Sequence, residues 1–137
     1  MGEIEFKVFG DPVAQGRPRF FRKGNFVGTY DPEKSKSWKE SVKWQAIEYM
    51  RNRQMINGAI RMELNFFLQR PKSLPKKVIK HIKRPDIDNL AKAVKDALRS
   101  ICYRDDSQIV YCIITKDYAE QTGVWVRINP EEDENIK

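Results

Sequence analysis

The chain has 137 residues, with 26 lysines and arginines against 19 acidic residues and a single histidine, for a net charge of +7. That length holds one domain; no apolar run approaches the ~20 residues of a membrane span, and the lone His81 argues against a histidine-rich metal centre. The cationic surplus, 25 against 15 once residues 131–137 are set aside, favours nucleic acid over an anionic membrane surface as the partner.

Ile4, Phe6 and Val8 alternate with Glu5, Lys7 and Phe9 and predict an opening strand, ended by Gly10-Asp11-Pro12. From Arg17 to Phe26 cations and aromatics mix around Gly24-Asn25, the pattern of a loop or a splayed hairpin. Asp31 as N-cap and Pro32 at the first helical position start a long helix, which Trp38, Val42, Ala46, Tyr49 and Met50 carry to about Arg53. Asn57-Gly58 breaks the chain before a strand in which Ile60, Met62, Leu64, Phe66 and Leu68 alternate with more polar neighbours. Arg70 to Arg84 holds seven cations and no acid; Pro71 and Pro75 confine any helix there to the vicinity of Val78 to Ile82. A second helix starts beside Asp88, with Leu90, Val94, Ala97 and Ile101 on its apolar stripe. Ile109 to Thr115 reads as a buried strand, and Gly123 with Val124, Val126 and Ile128 as its antiparallel partner. The sum is an α+β domain over residues 1–129, a small mixed sheet of about four strands packed with two main helices, followed by a disordered acidic tail over 130–137. Cys102 and Cys112 lack metal spacing and read as reduced, partly buried thiols.

The second helix is flanked by carboxylates: Asp86 and Asp88 at its start, Asp105 and Asp106 just beyond its end. Close carboxylates repel by roughly 4 kcal/mol per pair at 4 Å and an effective dielectric of about 20, so a hard divalent cation is their natural partner. All-oxygen ligands suit Mg²⁺, with Mn²⁺ as a substitute and no small-molecule cofactor. Asn89, Lys92 and Asp96 share a sector of about 60° on the helix, away from the apolar stripe, and Lys92 could steady phosphoryl charge or orient a water. The four acids reach one site only if Asp105 and Asp106 return toward the start of the helix. In the alternative reading Asp88 is an N-cap, Lys92 and Asp96 are an ordinary i,i+4 pair, and Asp105-Asp106-Ser107 is a turn.

Asp86-Ile87-Asp88-Asn89-Leu90-Ala91-Lys92, then Asp96-Ala97-Leu98, then Asp105-Asp106-Ser107-Gln108-Ile109-Val110 resembles the signature of the RusA family of Holliday junction resolvases. The resemblance implies a dimeric α+β endonuclease of bacteria and their phages that resolves four-way DNA by paired Mg²⁺-dependent incisions. It implies Asp86, Asp88 and Asp106 as the essential acidic residues and Lys92 as the essential basic residue. The resemblance further implies that Asp105 supports Asp106 or shares the metal, and that Asn89, Asp96 and Gln108 bond to the ligands.

Arg70, Lys72, Lys76, Lys77, Lys80, Lys83 and Arg84 lead into the acidic site and are expected to hold phosphates. Arg17, Arg19, Arg22 and Lys23, beside Phe20, Phe21 and Phe26, suit branch-point DNA; a solvated loop is the competing reading for both segments. Trp38, Trp44 and Tyr49 are expected in the core or on a dimer face. Two symmetric cuts call for a two-fold homodimer, acting in the cytoplasm at the nucleoid. The alternatives are a less selective branched-DNA or flap nuclease, and a non-catalytic junction-binding protein.

Overall fold

Period-two alternation builds four strands into one mixed sheet. In the computed structural model, which describes residues 3–16, 19–30 and 33–133 with backbone alone for 19–21 and 27–30, the elements are β1 (Ile4–Phe9), β2 (Arg19–Lys23), β3 (Phe26–Tyr30), α1 (Glu33–Met50), β4 (Ile60–Gln69), α2 (Ile87–Leu98), β5 (Ile109–Ala119) and β6 (Gly123–Pro130). The sheet order is β1-β6-β4-β5, and β2 and β3 form a separate hairpin. β6 runs antiparallel to both β1 and β4, whereas β5 is parallel to β4. The α+β expectation therefore holds.

One face of the sheet carries the core. Ile4 and Val8, Val124, Val126 and Ile128, and Met62, Leu64 and Phe66 are buried in register across β1, β6 and β4. α1 packs on β1 and on α2, and α2 on β5. Trp38, Val42 and Ala46 come from α1, Leu90, Val94 and Leu98 from α2. Each large side chain so buried contributes roughly 1.5–3 kcal/mol before entropy is counted. Gly123 sits at φ +153°, where an added Cβ would lie 2.1 Å from the Val8 carbonyl oxygen, so only glycine lets β6 close on β1 there.

Three expectations need correction. The partner of Ile109–Thr115 is β4, and β6 lies between β4 and β1. The chain from β4 through α2 to β5 is a crossover unit that makes its strands parallel neighbours. Residues 120–122 then carry the chain past the end of β4, about two strand spacings or 10 Å. Secondly, β5 is an edge strand, with Val110 61% and Tyr111 44% exposed. Thirdly, residues 78–82 form no helix; Lys80 bridges antiparallel to Asp117 and the Tyr118 N–H donates to the Ile79 carbonyl.

The helix ends are local. α2 stops at Leu98 because Ser100 takes φ +72°, which places Ile101 beyond the helix, and α1 stops at Met50, two residues before Asn52 at φ +66°. The Asp31-Pro32 start falls outside the described residues. The cation-rich segment is a hairpin turning at Gly24-Asn25, with Lys23 opposite Phe26. Trp38 is buried while Trp44 is 67% exposed, and Tyr49 stacks on Phe6 at 4.8 Å. Pro130 belongs to β6, and the Glu131 N–H donates to the Ala59 carbonyl, so the chain remains bonded to the sheet past the expected start of the tail. Cys102 is buried, its thiol pushed up to about 12 by desolvation, and Cys112 is exposed.

Candidate active site

Asp86 occupies the N-cap position of α2, with extended backbone (φ −76°, ψ 152°), yet its side chain makes no capping hydrogen bond. An aspartate there ordinarily accepts from the first turn, an arrangement worth about 1 kcal/mol. Asp88 falls in the first turn and accepts from the Asn89 N–H at 3.0 Å, so it is not the N-cap of the alternative reading. Both carboxylates are exposed. They stand at the positive end of the helix dipole, beside a cleft of about 350 Å³ lined by Ala14, Arg84, Pro85, Asp86 and Asn89. Asn89 also accepts the Gln15 N–H through its carbonyl at 3.0 Å.

The segment entering α2 is held from the sheet. Lys116 Nζ donates to the Lys83 carbonyl at 2.6 Å and the Pro85 carbonyl at 2.8 Å, and the Arg84–Pro85 peptide is cis. Lys116 was not among the sequence candidates, though a lysine directly after the uncharged run Ile109 to Thr115 was the available signal.

Asp105 and Asp106 sit at the other end. Asp105 caps a one-turn 3₁₀ helix (Asp106–Gln108) by accepting the Ser107 N–H at 2.9 Å, and its bonds to Ser107 hold the carboxyl below the usual range. Gln108 completes the box: its Oε1 accepts from the Arg104 and Asp105 N–H groups, and its Nε2 donates to the Ile56 and Gly58 carbonyls. Its amide is therefore committed to backbone, and its task is to fix the turn that carries the two aspartates. The buried Tyr103 hydroxyl lies 3.1 Å from both Asp106 Oδ1 and the Lys95 carbonyl. With one hydrogen it serves one acceptor at a time. Burial first, and then the Asp106 charge, push this phenol far up, so it stays protonated. Arg99 stands 3.5 Å from Asp106 and 4.0 Å from Asp96, and Lys92 stands 3.9 Å from Asp96.

The two carboxylate pairs are thus not brought together within one chain. Asp86 is the N-cap and Asp88 a first-turn residue of a helix of 12 residues, whereas Asp106 lies past its last turn, beside Arg99. Asp88, Lys92, Asp96, Arg99 and Asp106 form a line of alternating charge between them, and the ion pair of the alternative reading, Lys92 with Asp96, is present within that line. Among the described residues no three His, Cys, Asp or Glu side chains gather to enclose a metal. The donor set still fits Mg²⁺ chemistry, because that ion commonly takes one or two carboxylates and leaves its other positions to water and substrate phosphate. Asp86 and Asp88, exposed and made of hard oxygens, are such a pair.

The basic surface differs in part from expectation. Arg70 donates to the Pro75 carbonyl at 2.8 Å and to the Val78 carbonyl, so it organises its own loop. Lys80 pairs with Asp117 at 3.2 Å and Lys76 with Glu120 at 3.8 Å. Lys72, Lys77, Lys83 and Arg84 are exposed, as are Arg22 and Lys23 in the hairpin, where Arg22 Nε donates to the Gly24 carbonyl at 3.2 Å. Arg17 and the side chains of Arg19, Phe20 and Phe21 lie outside the described residues. Sequence reasoning missed a second cationic surface: Lys36, Lys39 and Lys43 of α1 line a cleft of about 320 Å³ with Glu40, Asp96, Ala97 and Arg99. Their spacing of three and four residues on one helix face was the signal.

Together, fold and site define a small basic α+β protein that offers carboxylate oxygens beside cationic clefts, the class of a nucleic-acid-directed enzyme. The chain belongs to the RusA family: the model described as Endodeoxyribonuclease RusA matches residues 10–129, which bears out the resemblance carried by the two aspartate motifs. It is also 38% identical over 135 residues to "Uncharacterized protein YqaN" of Bacillus subtilis (strain 168), covering 91% of this chain and 94% of that relative. The family is one of divalent-metal-dependent endonucleases that act on branched DNA junctions.

Proposed function

We propose that this protein is a homodimeric endodeoxyribonuclease that resolves four-way DNA junctions by paired, symmetric, Mg²⁺-dependent phosphodiester hydrolysis. The observation that carries the reading is Asp86: it stands at an N-cap and caps nothing, so its carboxylate is kept for a ligand. Asp86 and Asp88 would hold the ion, with Asp106 the further acid and Asp105 its support. Held there, a divalent ion would supply Lewis-acid polarisation of a phosphoryl oxygen and activation of the nucleophilic water.

The chain's own groups do the rest. Lys92 lies one turn beyond Asp88 on the same helix face, suited to the charge that develops on the phosphoryl group. Arg84 lines the cleft beside Asp86, suited to a phosphate held in register. The lysines of α1 and the exposed cations of residues 72–84 suit the arms of a junction, whose backbone is drawn in by charge alone. Homodimerisation is part of this reading for two reasons. Two equivalent strands need two equivalent sites. A second subunit also supplies a way to bring an Asp106 to an Asp86–Asp88 pair that stands at the other end of its own helix.

The test is cleavage of a synthetic four-way junction and of a linear duplex of equal length, in Mg²⁺ and in EDTA. Paired symmetric nicks on the junction, lost in EDTA and in Asp86→Asn, are expected. Equal cutting of the duplex would make it an unselective nuclease, and tight binding without cutting would make it a junction-binding protein.

A further inference from the structure

Among the described residues both helices pack on the core face of the sheet. On the other face the cross-strand pairs set side chains in rows. Gly123 of β6 stands opposite Phe9 of β1 and Phe67 of β4, and Trp125 stands opposite Lys7 and Asn65. Opposed residues share a face, so two phenylalanines flank a position without a side chain and the indole stands in the next row. The Val8 carbonyl keeps that position a glycine. The result is a pit of about 250 Å³ whose lining includes Lys7, Phe9, Phe67, Gln121 and Trp125.

Three features of the pit select its occupant. Its walls are flat rings, and Phe9 is 52% exposed. Its charge is positive: Lys7 lies over the Trp125 indole at 5.0 Å and pairs with no described carboxylate, whereas Arg127, 3.7 Å from the same ring, is already paired with Glu5 and Glu63 at 3.7 Å each. Its rim also meets the cationic segment that ends at Asp86. Lys76 reaches Glu120 at 3.8 Å, next to Ala119 of the pit; Ile79 and Lys80 bond to Tyr118 and Asp117; Lys116 holds the Lys83 and Pro85 carbonyls. The segment thus follows β5 from the pit to Asp86, about 10 Å along the strand between Ala119 and Lys116, with Lys72, Lys77, Lys83 and Arg84 exposed on the way. An apolar side chain from a protein would use the rings and leave Lys7 unpaired. An unpaired base uses the rings through its π-face and brings a phosphate for the cation.

We infer that the pit over Gly123 binds an unpaired nucleobase of single-stranded DNA, stacked among Phe9, Phe67 and Trp125 with its phosphate on Lys7. The same strand then runs along the exposed cations of residues 72–84 toward Asp86. Stacking accepts any base, so the pit holds an opened strand without choosing its sequence. The inference rests on the nucleic-acid part of the functional reading and not on the chemistry of cutting, and it gives the protein an affinity for unpaired DNA that duplex arms do not call on.

The experiment is fluorescence anisotropy of the full chain, in EDTA, with labelled oligo-dT of about a dozen nucleotides, an abasic strand of the same length and a linear duplex, for wild type, Phe9→Ala and Lys7→Gln. Phe9 is exposed and bonds to Gln45 through its backbone, so its replacement leaves the unfolding midpoint in place. Expected are tighter wild-type binding of oligo-dT than of the abasic strand, and an affinity for oligo-dT about tenfold lower in Phe9→Ala, with the abasic strand and the duplex unmoved. Lys7→Gln weakens oligo-dT and the abasic strand together, because it removes the partner of the phosphate. Equal wild-type affinity for the two strands, or oligo-dT binding indifferent to Phe9→Ala, overturns the pit. Sedimentation of the same samples tests the rival occupant: self-association lost in Phe9→Ala, with oligo-dT affinity unchanged, gives the face to a second copy and overturns the nucleotide. Junction cleavage in Mg²⁺ separates the two readings. Phe9-dependent binding of oligo-dT by a protein that cuts no junction removes the nuclease reading and leaves the pit standing; junction cutting without Phe9-dependent binding does the reverse.

Discussion

The two ends of α2 carry the same chemical groups in opposite states of engagement. At its start, Asp86 forgoes the capping bond its position offers, and both it and Asp88 stand exposed beside a cleft. At its end, Asp105 and Asp106 are held by Ser107, Tyr103 and Arg99, and Gln108 fixes the turn beneath them. One pair is open to a ligand and the other is oriented in advance. Carboxylates in one chain can thus divide into an exposed pair and a positioned pair according to the bonds their neighbours make.

Removing charge from the open end has the largest expected effect. Asp86→Asn lowers junction cutting by on the order of a hundredfold or more, since the loss of ion-mediated charge stabilisation is worth several kcal/mol. DNA binding, measured by gel shift at fixed salt, persists or tightens because a negative charge is gone. Stability changes little, because this side chain caps nothing; a large fall in the unfolding midpoint would show that Asp86 serves the fold after all.

At the pre-positioned end the effect is smaller and mixed. Tyr103→Phe removes the hydroxyl shared by Asp106 and the Lys95 carbonyl, at a cost of about 1 kcal/mol in urea unfolding. A loosened Asp106 lowers cutting by about tenfold with junction affinity unchanged. Equal losses of stability and cutting in Asp86→Asn and Tyr103→Phe would erase the distinction between the two ends. Lys116→Met tests whether the open end is also positioned from behind. It frees the Lys83 and Pro85 carbonyls, at a cost of about 1 kcal/mol, and blurs the cut position on an end-labelled junction.

The smallest effect is one of pH. His81 packs on Tyr118 with ring centroids 4.8 Å apart, and burial, with Lys116 as the next cause, holds its pKa below 6.5. The unfolded chain therefore takes up this proton first as pH falls. The stability linked to His81 is complete above its unfolded pKa and is lost as pH falls through the depressed folded value. His81→Gln should flatten that part of the stability profile between neutral and mildly acid pH; an unchanged slope would place the ring in water.

Much of this architecture is legible without coordinates. Alternation in Ile60 to Leu68, broken only by Phe67, specifies a half-buried strand, since a shift of one residue would expose Ile60, Met62, Leu64, Phe66 and Leu68 together. The stripe of Leu90, Val94 and Ala97 specifies which face of α2 meets the sheet. The two aspartate motifs specify the family by residue type and order alone. The order of strands is decided elsewhere. Ile109 to Thr115 and Val124 to Ile128 are both β-branched and apolar, and periodicity cannot say which is central; the crossover through α2 and the short link at residues 120–122 settle that β6 is inside and β5 is at the edge.

The same limit applies to the site. Sequence named Asp86, Asp88, Asp105 and Asp106, because four carboxylates around one short helix stand out in any basic chain. It could not say that α2 would hold the pairs apart, that Gln108 would turn inward to the backbone, or that Tyr103, Arg99 and Lys116 would do the positioning. Those roles depend on groups remote in sequence meeting in space, as Gln108 meets Ile56 and Lys116 meets Pro85. Local chemistry is written along the chain, whereas which groups share it is fixed only when the sheet and helices pack.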